Sequence, residues 1–339
     1  MSFASSIIFP FIRGLFPQKE DTSEKYTPEI FQSFHREENA EDRFVHDKCL
    51  KYAGNRELDI YYPEKDTPRR GTVIYSSGGG FISDFHRYYS TRRFAWKMAR
   101  DGFVVVVPRY RLGLRDLGKH SKLKFGRVLS KAISAAAEDT MLVTRFLLDR
   151  AEELDVDRDK MILVGSSSGA FPSLQCDMER SKGSEMARRI LPADFSYAAV
   201  ISLCGAVFSS GRPRYGSGTP SPTLFIHGTG DNMVSYLRCT LFGYGLYGPD
   251  AIVREFRRKK APYRFMRFVG QGHSVAARYM SIYQNILRFI DQAVNKKDLS
   301  GTDEYIREPL RKPIFLDYAN PIVLYKSVLS KMNPKPLED

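Results

Sequence analysis

Cysteine is scarce: the 339 residues hold four, at positions 49, 176, 204 and 239, and no two form a CxxC pair. So few, so widely spaced, they exclude a disulfide-stapled miniprotein. They fit reduced thiols behaving as small hydrophobes, and hence a cytoplasmic setting. Long apolar runs are lacking too, and none approaches the ~18 residues of a membrane-spanning helix. No segment repeats at a fixed period, and no low-complexity tract breaks the chain. Charged residues make up 27%, with 25 glycines and 18 prolines. This ordinary globular balance excludes a disordered chain, a collagen and a coiled coil. With 42% apolar residues, a chain of this size buries roughly 75% of its unfolded surface on folding.

No basic residue precedes the apolar stretch of Ile7, Ile8, Phe11, Ile12, Leu15 and Phe16, and no A-x-A-like site follows it. A secretory signal is therefore not expected. The helical spacing, weakened by Pro10, fits packing against the body of the protein. An interfacial membrane foot or a cover over a substrate mouth is the alternative, with peripheral membrane association as its consequence.

Negative charge is outnumbered. The net charge is +13, and thirteen basic residues between Arg87 and Lys131 face only Asp101 and Asp116. A second run, Arg254 to Arg267, sets seven basic residues against Glu255. Such patches attract nucleic acid, anionic lipid or an acidic substrate. No nucleic-acid-binding motif accompanies them, so nucleic acid is not an expected partner and a solvated basic surface is the plainer reading.

Short β-rich runs alternate with helical patterns. Strands are expected at residues 58–62, 72–76, 103–107, 161–165, 198–203, 223–227 and 264–269. Several are nearly continuous apolar runs, as strands buried on both faces are. Val128, Leu129, Ala132, Ile133, Ala136, Val143, Phe146 and Leu147 share one face of a helix, and a further helix is expected from about Ser274 to Val294. This alternation predicts an α/β domain with a mostly parallel sheet. The expected organisation is an N-terminal arm at 1–47, a catalytic domain at 48–297 and a C-terminal extension at 298–339 packed on the body.

Chemistry is expected where strands end. Gly165-Ser166-Ser167-Ser168-Gly169 matches G-x-S-x-G, with a buried strand leading in and a helix leading out. Such a turn lifts the Ser167 hydroxyl above the sheet. A serine needs a base to act as a nucleophile. His273, between a strand and a helix in Gly270-Gln271-Gly272-His273-Ser274, is the candidate, and His227 is its rival with a structural role expected. In Gly228-Thr229-Gly230-Asp231-Asn232-Met233, Asp231 is the candidate to hold the imidazole. Helix capping is the other reading for Asp231 or Asn232, and Asp250 is a second choice for the acid. Ser76-Ser77-Gly78-Gly79-Gly80-Phe81 follows a strand, and no Lys-Ser/Thr follows it as in a phosphate-binding loop. The N–H groups of Gly79, Gly80 and Ser168 are the expected donors to an oxyanion.

Together these motifs resemble the α/β-hydrolase superfamily. The resemblance is closest to the esterase/lipase group with an HGGG-type oxyanion loop, which includes hormone-sensitive-lipase-like and small carbohydrate-ester esterases. It spans about residues 56–294 and includes Leu58-Asp59-Ile60-Tyr61-Tyr62-Pro63 and Tyr110-Arg111-Leu112. The family's loop histidine is Ser77 here, and the acid usually preceding the Tyr-Arg-Leu segment is Arg109. The resemblance implies an α/β-hydrolase fold, a Ser167–His273–Asp231 triad, no metal or organic cofactor, and cleavage of small carboxylic esters with a short acyl or sugar-linked group. An acyltransferase or peptidase using the same triad is the alternative, and a non-catalytic binding or lipid-surface protein is another. Residues 109–127, 206–221 and 232–262 are the expected pocket rim.

Overall fold

Fully buried, mostly apolar six-residue runs form the centre of the sheet. The computed structural model describes residues 46–83, 85–114, 125–241 and 244–308. In chain order these form β1 His46–Ala53, β2 Arg56–Tyr61, β3 Gly71–Ser76, α1 Tyr89–Arg100, β4 Phe103–Pro108, α2 Phe125–Asp149 and β5 Met161–Ser166. A single turn, Ser167–Gly169, leads into α3 Ala170–Lys182, α4 Glu185–Ile190, β6 Ala199–Leu203, β7 Val207–Ser209 and β8 Thr223–Gly228. Next come β9 Arg238–Leu241, β10 Tyr244–Tyr247, α5 Pro249–Lys259 and β11 Tyr263–Phe268. A 3₁₀ segment at His273–Met280, α6 Tyr283–Ile290 and β12 Thr302–Ile306 complete the described chain.

The main sheet has the order β1-β2-β4-β3-β5-β6-β8-β11-β12. β2 pairs antiparallel with β1 and β4, and every pair from β4 to β12 is parallel. All seven expected strands are present. Alternate residues feed two cores. Val104, Val106, Leu163 and Val200 face α2 and α3, whereas Val105, Val107, Val164 and Ile201 face α1 and α6. The helix expected from 274 to 294 is instead a 3₁₀ segment, α6 and a π-helical turn at Asp291–Lys296. A small antiparallel sheet, β7-β10-β9, is drawn from two of the segments expected to form a pocket rim. Its Phe208 and Leu246 pack with Phe81, Phe171 and Val234.

The N-terminal arm to residue 45 and its apolar stretch lie outside the described residues, as do 115–124 of the rim and the chain from 309 onward. Among the described residues, no helix is long and apolar enough to cross a membrane. Cys176 and Cys204 are buried, Cys239 is partly so, Cys49 is exposed, and none of the four is in a disulfide.

Several arginines of the basic runs meet acids distant in sequence. Arg87 pairs with Asp59, and Arg111 with Glu138 and Asp139. The edge strand β12, polar and half-exposed, is clamped to β11 by charge. Arg267, only 3% exposed, reaches Asp303 at 2.6 Å and Asp250 at 2.9 Å, and its neighbour Arg264 reaches Glu304 at 2.5 Å. Asp250 is therefore committed to Arg267. Burial pushes the Asp303 carboxyl up, but hydrogen bonds from Arg267, Arg257 and Tyr263 hold it below the usual range. Its stabilising contribution is therefore present at neutral pH and is lost as pH falls through the lowered folded-state value.

Removing Arg267 takes away the buried cation that Asp303 and Asp250 share, and leaves each with only a more exposed arginine, Arg257 and Arg254 respectively. Arg267→Ala should cost about 3 kcal/mol in urea denaturation at pH 7, with the deficit shrinking as the acids protonate at low pH. A cost below about 1 kcal/mol at pH 7 would contradict the clamp.

Candidate active site

β5 ends where the backbone must reverse into α3. Ser167 takes φ +52°, a left-handed conformation that an L-residue enters at a cost of about 1–2 kcal/mol. Two glycines make the turn possible. A Cβ on Gly165 would lie 2.2 Å from Gly169 O, and one on Gly169 would lie 2.0 Å from Ser76 O. The turn is therefore pressed against the end of β3. Pro172 falls in the first turn of α3, where its missing N–H breaks no helical bond.

The three candidate side chains converge. Ser167 Oγ lies 2.8 Å from His273 Nε2. His273 Nδ1 lies 2.8 Å from Asp231 Oδ2. A carboxylate accepts, so Nδ1 carries the hydrogen and Nε2 turns its lone pair toward the serine hydroxyl. His273 and Asp231 are buried, and Ser167 is half-buried.

Backbone bonds lace the acid and base loops together at the C-terminal ends of β8 and β11. Thr229 N–H donates to Phe268 O, and Gly230 N–H donates to Gln271 O, both at 2.9 Å. Gly270 N–H donates to Thr229 Oγ1 at 2.8 Å. Ser166 Oγ donates to Ala276 O at 2.7 Å, tying the serine turn to the histidine segment.

Asp231 faces the imidazole, and what it caps is a turn and not the helix that the capping reading required, since no helix lies between β8 and β9. Its Oδ1 accepts from Met233 N–H and Val234 N–H at 2.9 Å while its Oδ2 faces His273. His227 also reaches this carboxylate, with Nε2 3.2 Å from Asp231 Oδ2 and 3.0 Å from Val234 O. Both neighbours are acceptors, so His227 Nε2 carries a hydrogen. Burial would push the Asp231 carboxyl up; electrostatic attraction to His273 and the hydrogen bonds from His227 and His273 prevail and hold it far below the usual range. Sequence reasoning gave His227 a structural role without finding its partner. The i,i+4 spacing across the end of β8 was the available signal.

The glycine loop sits on the serine turn. A Cβ on Gly78 would lie 3.2 Å from Ser167 Cβ, so Gly78 is the loop residue that lies against Ser167. Gly79, at φ +139°, accepts from Ile82 and Ser83 through its carbonyl. Gly80 departs from expectation. Its N–H donates to Ser168 Oγ at 2.8 Å and is engaged inside the protein. Ser168 N–H lies in the opening turn ahead of α3, where unpaired amides favour negative charge.

Cys204, His227 and Asp231 offer ligand atoms within 4.8 Å of one another. The hydrogen on His227 Nε2 and the engagement of Asp231 with His273 already account for the polar groups of that cluster.

A family model described as BD-FAE matches residues 58–207. No curated protein matches the sequence. Among solved structures, the chain is similar to esterase B from Lactobacillus rhamnosis (HN001), with TM-score 0.56 at 15% identity over 80% of this chain and 92% of that one. It is similar to a truncated carbohydrate esterase from gut microbiota, with TM-score 0.53 at 16% identity over 75% and 98%. It is also similar to Thermogutta terrifontis esterase 2, there phosphonylated by cyclosarin, with TM-score 0.51 at 17% identity over 76% and 96%. At these identities the likeness establishes the fold: this chain has the α/β-hydrolase fold.

The close approach at the turn has a direct consequence. Gly169→Ala should destabilise by about 3 kcal/mol or more, because backbone oxygens must move. Gly126→Ala, where a Cβ meets nothing within 4 Å in α2, should stabilise by about 0.5–1 kcal/mol. Thermal denaturation of both variants checks the contrast, and equal melting temperatures would refute it.

Proposed function

We propose that the chain is a serine carboxylic-ester hydrolase acting through Ser167, His273 and Asp231. The observation that carries this reading is the unbroken line of two 2.8 Å contacts from Ser167 Oγ through the His273 ring to Asp231. Ser167 Oγ attacks the ester carbonyl as His273 Nε2 takes its proton. The carbonyl oxygen becomes an oxyanion facing the N–H groups of Ser168 and Gly79, beside Gly78. Collapse expels the alcohol, which receives the proton from His273, and leaves the acyl group on Ser167. His273 then deprotonates water, and its attack on the acyl-enzyme releases the acid and regenerates the hydroxyl.

Asp231 is suited to its part because four N–H groups aim at it. It remains a carboxylate across the range where ordinary carboxylic acids protonate, and so favours the imidazolium form of His273 in the transition state. Small esters are the substrates best supported. Two structural neighbours point that way, one a carbohydrate esterase and one an esterase B inhibited by a tributyrin phosphonate. Cysteines outside any disulfide fit a reducing compartment.

A panel of p-nitrophenyl esters of increasing acyl length tests this reading. Wild type should turn over the short members. Ser167→Ala should lose kcat by roughly a millionfold, and Asp231→Asn by roughly ten-thousandfold. Ester hydrolysis persisting in Ser167→Ala would place the chemistry elsewhere. Acid and alcohol released in equal amounts with an added alcohol present would exclude acyl transfer as the main course.

A further inference from the structure

The Tyr110-Arg111-Leu112 segment contributes no group to the chemistry above, yet it contacts the glycine loop at both of its ends. Tyr110 Oη donates to Ser77 O at 2.8 Å. Leu114 N–H donates to Phe81 O at 3.1 Å, and the Tyr110 ring stands edge-on to Phe81. Tyr110 Oη also lies 3.2 Å from Ser168 Oγ, the same oxygen that accepts from Gly80 N–H.

The hydrogens can be assigned. Ser77 O only accepts, so the Tyr110 hydrogen points at it. Gly80 N–H only donates, so Ser168 Oγ accepts there. The Ser168 hydrogen is then left for Tyr110 Oη. One chain of hydrogen bonds therefore runs from Gly80 through the Ser168 hydroxyl and Tyr110 to Ser77, all buried or nearly so. It grips the glycine loop on either side of Gly78 and Gly79. Arg111 anchors the grip to α2, with its N–H 2.8 Å from Asp139 Oδ2 and its Nε 3.0 Å from both Asp139 oxygens. Asp139 is fully buried.

We propose that Tyr110 and the Ser168 side chain are positioning residues that brace the glycine loop against the nucleophile turn, holding its N–H groups where the oxyanion forms. The need is physical. Gly79, Gly80 and Phe81 take φ of +139°, +65° and +58° in succession, and a glycine loop left free samples many other conformations. Amides displaced by about 1 Å lose roughly a hundredfold in rate. The inference rests on the hydrolase reading for its consequence in rate, and not for the brace itself.

The test compares Tyr110→Phe and Ser168→Ala with wild type on the short p-nitrophenyl esters. Each should lower kcat by about 10- to 100-fold with KM changed less than about twofold. The double variant should be no worse than the worse single one, because both cut the same chain. Amide hydrogen exchange across residues 77–83, read by mass spectrometry, should be faster in Tyr110→Phe than in wild type. A side chain that merely fills the core would leave both kcat and loop exchange unchanged in the near-isosteric Tyr110→Phe, and that result overturns the proposal. If wild type hydrolyses no ester, the hydrolase reading fails, and exchange alone then decides the brace. Faster loop exchange upholds it, and equal exchange overturns it.

Discussion

The site depends on the backbone of one strand-to-helix turn passing within contact distance of the neighbouring strand end. Ser76 and Ser77 carbonyls lie where a Cβ on Gly169 would stand, and Gly169 lies where a Cβ on Gly165 would stand. That approach raises Ser167 into a left-handed conformation, brings Gly78 against it, and sets Ser168 at the head of α3. The strain at Ser167 is offset by the two cores that hold β3, β5 and β6 in register on either face of the sheet.

A second constraint places His273. The acid and base loops rise from adjacent parallel strands, β8 and β11, and are cross-bonded before either reaches its functional residue. Asp231 is the point at which they meet. One of its oxygens is held by its own loop's amides and the other is shared by two imidazoles. A carboxylate so surrounded keeps its charge despite burial, and the charge fixes which ring nitrogen of His273 carries hydrogen. Farther out, the acids of β12 clamp the strand that carries the histidine loop. Arg278, within the histidine segment itself, bonds Gln271 Oε1 at 3.2 Å and Glu308 at 2.5 Å.

The parallel strands were legible in the sequence because a strand buried on both faces reads as an unbroken apolar run; Val104 to Val107 is the clearest case. β12 was not legible. Thr302-Asp303-Glu304-Tyr305-Ile306 resembles a polar tail, and only the arginines of β11 make it a strand. The three residues of β7 were too short to register, and β1 is paired through two irregularities in register. Ser167, His273 and Asp231 were legible because glycines and strand ends mark their loops. Gly80 was misjudged for a physical reason. Whether an amide faces substrate or a neighbouring hydroxyl depends on the rotamer of Ser168, and residue order does not encode it. The same holds for His227, whose bond to Asp231 is a matter of ring orientation. The charge of the basic runs was read along the chain, whereas their acidic partners approach only on folding.

The central claim is that Ser167 is a nucleophile made reactive by His273. Treatment with a short-chain p-nitrophenyl phosphonate, followed by intact-mass measurement and peptide mapping, addresses it most directly. One adduct on Ser167 in wild type is expected, with none in Ser167→Ala and labelling slowed by orders of magnitude in His273→Ala. Labelling at another residue, or equal labelling rates in wild type and His273→Ala, would contradict the account.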